Sequence, residues 1–191
     1  MRMAAVLTFL LLSFFLHGCP ATTKTSTKQQ NSTTSTNAPK SQWKTVKGVA
    51  ASNFRLRDIN DRSHNLKQYK GKVVLLNFWA TWCAPCLKEF PHVQKLHERY
   101  KNQGLKVLAV SVDEGNSVSQ VKPMIYRYGY NFSVLLDTEG RVVSIFNPKR
   151  HCPFTVLIDR KGQIRTSHQG YNPGDEKVLE KYIKSLLKES P

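Results

Sequence analysis

Two cysteines spaced C-x-x-C, Cys83 and Cys86, close the segment Asn77-Phe-Trp-Ala-Thr-Trp-Cys-Ala-Pro-Cys. A largely apolar run, Val73 to Trp79, leads into them, and a helical pattern, Leu87 to Tyr100, follows. A strand, then a dithiol, then a helix puts Cys83 at a helix N-terminus. Unpaired N–H groups and the helix dipole favour negative charge there. The thiolate is the charged form of cysteine and the attacking species in disulfide exchange. Cys86 lies one helical turn on, within reach of Cys83. Cys83 can therefore attack a partner disulfide, and Cys86 can resolve the mixed disulfide. Pro85 suits the first turn, where its missing N–H is no loss. A bare C-x-x-C also serves zinc sites, but a structural zinc would want a further ligand pair at short spacing, and the chain offers none.

The elements around the pair read as an α/β domain. Asn53 to Gly71 alternates apolar and polar residues about a polar turn, the pattern of a β-hairpin. Lys72 to Trp79 is nearly all apolar, as a strand covered on both faces would be. The spacing predicts a helix over Ala84 to Lys101, with Pro91 inside it, then a parallel strand, Leu105 to Val112. A second helix, Ser117 to Tyr128, a short strand, Ser133 to Asp137, and a short helix, Glu139 to Phe146, follow. Phe154 to Asp159 and Gln163 to Gln169 form a hairpin around Arg160-Lys161-Gly162. Asp175 to Lys188 is a terminal helix with an apolar face that includes Val178, Leu179 and Ile183. Asp159 reads as a turn former. Trp79 reads as core, and His64, His92, His97 and His168 as surface residues.

With 191 residues the chain is one domain plus tails, large enough to bury a core without disulfide staples. Met1 to Cys19 has the anatomy of an export signal: Arg2, then an apolar stretch from Ala4 to Leu16 that is short for a membrane span. Pro20 to Lys40, rich in Ser, Thr, Gln, Asn and Lys, cannot bury enough to fold and reads as a tether. The formal charge of +16 is spread without an aromatic-interleaved basic stripe. It reads as a solvated surface beside anionic lipid, with no nucleic-acid partner expected.

The segment through Cys86, the following Lys88-Glu89-Phe90-Pro91 and the later Cys152-Pro-Phe-Thr-Val-Leu-Ile-Asp159 resemble the thioredoxin superfamily. Within it the chain is similar to the exported TlpA, ResA and CcmG-like oxidoreductases that carry a redoxin (AhpC-TSA type) domain. The resemblance implies a thioredoxin-like fold, a central mixed sheet flanked by helices, with an N-terminal hairpin extension and an insert before the terminal hairpin. It implies that Pro153 is a cis-proline facing the dithiol, that Trp82, Pro85, Cys152 and Pro153 meet the substrate, and that Trp82 is a shelf beside the sulfurs. Asn77 stands where thioredoxin has a buried aspartate, and an amide cannot carry its proton. Glu89 matches a glutamate of the group and is assigned with Cys83 and Cys86 to the catalytic set; its alternative is a surface residue of the helix's first turns.

Leu16-His17-Gly18-Cys19 resembles a bacterial lipobox, which makes Cys19 the lipidated residue. The domain plan is then a lipoprotein signal, 1–18, a tether, 19–42, and the thioredoxin-like domain, 43–191. Cys152 departs from the Gly-x-Pro of the group. It is a small apolar replacement, a third redox thiol, or part of a soft-metal site with Cys83, Cys86 and His151. No residue is assigned to a resident metal, and no cofactor is expected.

The function expected is a membrane-tethered thiol–disulfide oxidoreductase, monomeric, on the periplasmic side, reducing disulfides of exported client proteins with electrons from a transmembrane donor. The alternatives are the oxidase or isomerase direction of the same exchange, and a copper metallochaperone on the same fold, for which the related Sco-like proteins use a C-x-x-x-C spacing.

Overall fold

The computed structural model describes residues 43–190. The export signal, Cys19 and the tether lie outside the described residues. The described chain forms one eight-stranded mixed sheet in the order β1-β8-β7-β4-β5-β6-β2-β3, with helices against both faces, and so has the expected class. The strands are β1 (Lys44–Ala50), β2 (Arg55–Asp58), β3 (Ser63–Asn65), β4 (Val73–Trp79), β5 (Leu105–Ser111), β6 (Ser133–Leu136), β7 (Phe154–Ile158) and β8 (Gln163–Gln169). The helices are α1 (Ala84–Tyr100), α2 (Val118–Tyr128), α3 (Arg141–Phe146) and α4 (Asp175–Lys188).

β4 is central because every one of its residues is buried. Its side chains alternate between two cores, as the period of a strand dictates. Val73, Leu75 and Trp79 join Phe90 and Val93 of α1 and Leu179 and Ile183 of α4. Val74, Leu76 and Phe78 join Val142 and Val143 of α3 and the hairpin residues Phe54 and Leu56. β4 runs parallel to β5 and antiparallel to β7. The parallel β4–α1–β5 crossover is what brings the chain from the end of β4 straight into α1.

Three readings of the sequence change. β1 is an additional edge strand, antiparallel to β8, with a register shift between Thr45 and Val49. Gly48 sits there at φ 73, a conformation that costs glycine little and gives the strand its bulge. His64 and His168 are buried rather than exposed, while His92 and His97 are half-buried. His64 is drawn in by Asp58 and the Tyr69 hydroxyl. His168 meets Asp175, and the Trp43 ring stacks on it at 4.6 Å. Val178 of α4 is exposed, at the margin of the helix's apolar stripe. Asp159 does form the β7–β8 turn, where its Oδ1 accepts the N–H groups of Lys161 and Gln163 at 2.9 Å each.

Candidate active site

Cys83 ends the loop from β4 and caps α1 in an extended conformation. It is joined to Cys86 by a disulfide with a Cα separation of 5.3 Å. Its Sγ also accepts the N–H of Cys86 at 3.2 Å, so one of the orphan donors of the helix start is spent on sulfur. The two cysteines are not equivalent. Cys86 is fully buried, Cys83 is 4% exposed, and only Cys83 has a face toward solvent. Ala84 and Pro85 are exposed beside it, and Trp82 is 67% exposed, an unusually open position for so large an apolar ring.

The loop that presents Cys83 is fastened from below. The Thr81 N–H and hydroxyl donate to the Asp113 carboxylate at 3.0 and 2.6 Å, and the Ser111 hydroxyl donates to the same group at 2.9 Å. Asp113 is buried just past β5. The sequence pattern assigns Asp113 no role between strand and helix; the signal available is an acid directly after an apolar strand, opposite a loop with unpaired N–H groups.

The peptide between Cys152 and Pro153 is cis, and it leads directly into β7. Cys152 is a free, half-buried thiol packed against the same core cluster as Cys83 and Cys86. Burial first, and the nearby Asp113 charge second, push its thiol up to about 11. Near neutral pH it is therefore the protonated, unreactive form. His151 holds Asn147 by backbone contacts: its carbonyl accepts the Asn147 amide at 2.7 Å, and its N–H donates to Asn147 Oδ1 at 3.3 Å. Among the described residues no group of three or more His, Cys, Asp or Glu is placed to hold a metal ion.

Glu89 lies one turn after Cys86 on the same face of α1 and is 5% exposed. It is not the surface glutamate that its place near a helix start permits. Asn77 Nδ2 donates to Glu89 Oε2 and to Thr155 Oγ1, both at 3.0 Å. The Thr155 hydroxyl approaches Glu89 Oε1 at 3.4 Å. Burial pushes the carboxyl up to about 7; the Asn77 amide and Thr155 hydroxyl offset part of this, and the Asp175 charge adds to it. A carboxyl so placed can take or give a proton near neutral pH, beside a fully buried sulfur. Thr155 was unmarked in the sequence, although a lone hydroxyl inside an apolar strand is the available signal.

Residues 48–167 match the AhpC/TSA family. The chain is 34% identical over 139 residues to the thiol-disulfide oxidoreductase ResA of Geobacillus kaustophilus, a match spanning 73% of this chain and 77% of that one. It is 35% identical over 143 residues to the ResA of Halalkalibacterium halodurans, spanning 75% and 78%. Among solved structures it resembles a thiol:disulfide interchange protein DsbE from Chlorobium tepidum, with a TM-score of 0.69, 31% identity, and coverage of 75% of this chain and 99% of that one.

Proposed function

The chain belongs to the AhpC/TSA family and is a thiol–disulfide oxidoreductase, and from that premise we propose that it works as a reductase of exported proteins, tethered to the membrane through Cys19. The observation that carries the reading is the unequal burial of the Cys83–Cys86 pair at the start of α1, with Glu89 behind it. In the reduced chain the Cys83 thiolate attacks a client disulfide. The Cys83–client bond forms, the client S–S bond breaks, and the first client sulfur leaves as a thiolate that takes a proton from water. Cys86 then loses its proton to the Glu89 carboxylate and attacks the Cys83 sulfur. The Cys86–Cys83 bond forms, the Cys83–client bond breaks, and the second client thiolate departs and is protonated. The client gains two electrons and the dithiol loses them.

The residues divide the work by position. The helix start and the Cys86 N–H favour the Cys83 thiolate. Burial keeps Cys86 from meeting clients first. Trp82 and Pro85 form the exposed rim on which a client chain rests, and Cys152-Pro153 borders it from the next strand. Cys152, held as a thiol, is a packing residue that leaves exchange to the other two. This favours exchange over the copper reading, which would require Cys152 and His151 as ligands.

Turnover needs a thiol donor of two electrons, and an exported protein would draw on one that spans the membrane. Among the described residues no helix is long and apolar enough to cross a membrane. The proposed anchor is the lipid on Cys19, read from the lipobox-like Leu16-His17-Gly18-Cys19, and the tether is residues 19–42. At ~5–6 Å × √n a tether of about 20 residues lets the domain range some tens of ångströms from the lipid.

A glutathione redox titration of the full chain tests the direction. Reductase action requires a potential well below that of strong oxidants near about −120 mV; a value in that range would instead assign the oxidase direction. Incorporation of labelled fatty acid, lost in Cys19→Ala, tests the anchor.

A further inference from the structure

Asn77, Thr155 and His168 lie side by side on three neighbouring strands. Asn77 of β4 is the register partner of Thr155 of β7, and Thr155 is the register partner of His168 of β8. Directly opposed residues point to the same face of a sheet, so the three polar side chains form one row beneath α1 and α4. All three are buried. At one end of the row stands Glu89, bound to Asn77 and Thr155. At the other end stands Asp175, at the start of α4, whose Oδ2 meets His168 Nε2 at 3.1 Å and accepts the Asn172 N–H at 2.8 Å. Trp43, stacked on His168 at 4.6 Å and tilted against Tyr182 at 5.5 Å, covers the row from the β1 side.

A row of buried polar residues across three strands is costly unless it is used or fully paired. The dithiol mechanism absorbs only its inner half. Resting on the reading that Glu89 serves the dithiol, we propose that His168 and Asp175 are positioning residues of the same site: the pair governs how readily Glu89 takes and releases the Cys86 proton, acting across one strand and through Thr155. Two observations support this. Asp175 adds to the upward push on the Glu89 carboxyl, so the outer end of the row is felt at the inner end. Water is kept from both ends, so their interaction is little screened.

The titratable groups coupled to Glu89 are Asp175 from α4 and Tyr171 from the loop that precedes it; Cys86 lies one turn before Glu89 in α1, with Cys83 at the helix cap. Tyr171 donates to Glu176 at 3.1 Å, and His92 of α1 lies against the Tyr171 ring at 5.9 Å. Of these, Asp175 is the buried anion of the row, so neutralising it isolates the outer half of the row from the inner.

The experiment is a carbon-13 carboxyl titration of Glu89 in the reduced full chain, with Glu89→Gln assigning the signal, compared with the same titration in Asp175→Asn. The expected result is a Glu89 midpoint lower by about half a pH unit or more, since a neighbouring anion has been removed. An unchanged midpoint overturns the proposal. Should Asp175→Asn not fold, the unaltered chain supplies the test. Reducing Cys83–Cys86 is expected to shift the His168 ring nitrogen signals, and ring signals indifferent to the redox state overturn it. A different result marks failure of the underlying reading: Glu89→Gln would leave the exchange rate and its pH profile as they were, whatever Asp175 does.

Discussion

Two of the buried carboxyl groups among the described residues, Asp58 and Glu89, are driven in opposite directions. Asp58, at the end of β2, and Glu89, in α1, both lose nearly all contact with water. Burial by itself pushes any carboxyl up. At Asp58 that push is overruled by the Arg62 N–H, the His64 ring, the Asn60 N–H and the Arg62 guanidinium, and the group is held at about 2. The bonds are direct: Asn60 N–H and Arg62 N–H reach Oδ1 at 2.8 and 2.9 Å, while Arg62 Nε and His64 Nε2 reach Oδ2 at 2.9 Å each. At Glu89 burial prevails, because among the described residues one amide and one distant hydroxyl donate to it and the Asp175 charge adds to the upward push; the group is pushed up to about 7. A buried acid with a full set of donors is part of the frame. One left short of donors can exchange a proton in the physiological range, and here it stands beside the dithiol.

The largest effect that tests the contrast is on stability. Asp58→Ala leaves two backbone N–H groups and a buried ring without their acceptor. It is expected to destabilise the domain by about 3–5 kcal/mol in urea unfolding, while the folded fraction keeps its exchange rate. A cost below about 1 kcal/mol would mean that Asp58 is not a fixture of the hairpin.

Next comes Glu89. Its folded value of about 7 lies above the ordinary 4.5, so folding favours the protonated form. The stability this contributes is complete below 4.5 and is lost as pH rises through 7, amounting to about 3 kcal/mol by pH 8. Urea midpoints should therefore fall from pH 5 to pH 8 in the native chain and stay level in Glu89→Gln. Two parallel curves would remove the distinction between the two acids.

Asp58 supplies the mirror image with a somewhat smaller span. Its folded value of about 2 lies below the ordinary 3.8. Its contribution is present above 3.8 and lost as pH falls through 2, a change of about 2 kcal/mol before allowance for solvent screening. Asp58→Asn should flatten that acid limb and leave the neutral limb alone.

The smallest effect sharpens the account of Glu89. Thr155→Val deletes the weaker of its two partners, at 3.4 Å. The Glu89 midpoint should rise by a few tenths of a pH unit; a fall would mean that the hydroxyl had been favouring the neutral form.

Much of the frame was legible in the residues because it is written in local pattern. The all-apolar β4, the helix after Cys86, the β7–β8 hairpin with its Asp159 turn and the amphipathic α4 each follow from period and turn chemistry. β1 escaped because Lys44 to Ala50 has no clean alternation, and a glycine bulge breaks its register. The cysteines of the site were equally plain. What was hidden depends on partners distant in the chain. Nothing around His168 announces that Asp175 and Trp43 will enclose it. The acid after β5 marks Asp113 as a possible fastening point, but its neighbours in the chain do not name Thr81 as the residue that donates to it twice. Glu89 itself could be named only by resemblance, since its burial follows from how α1 lies over Asn77 and Thr155.

The account turns on which sulfur meets the client. In the full chain carrying Cys86→Ser, exposure to an oxidised model protein followed by peptide mass spectrometry should find a stable mixed disulfide on Cys83. Adducts on Cys152 instead, or none at all, would contradict it.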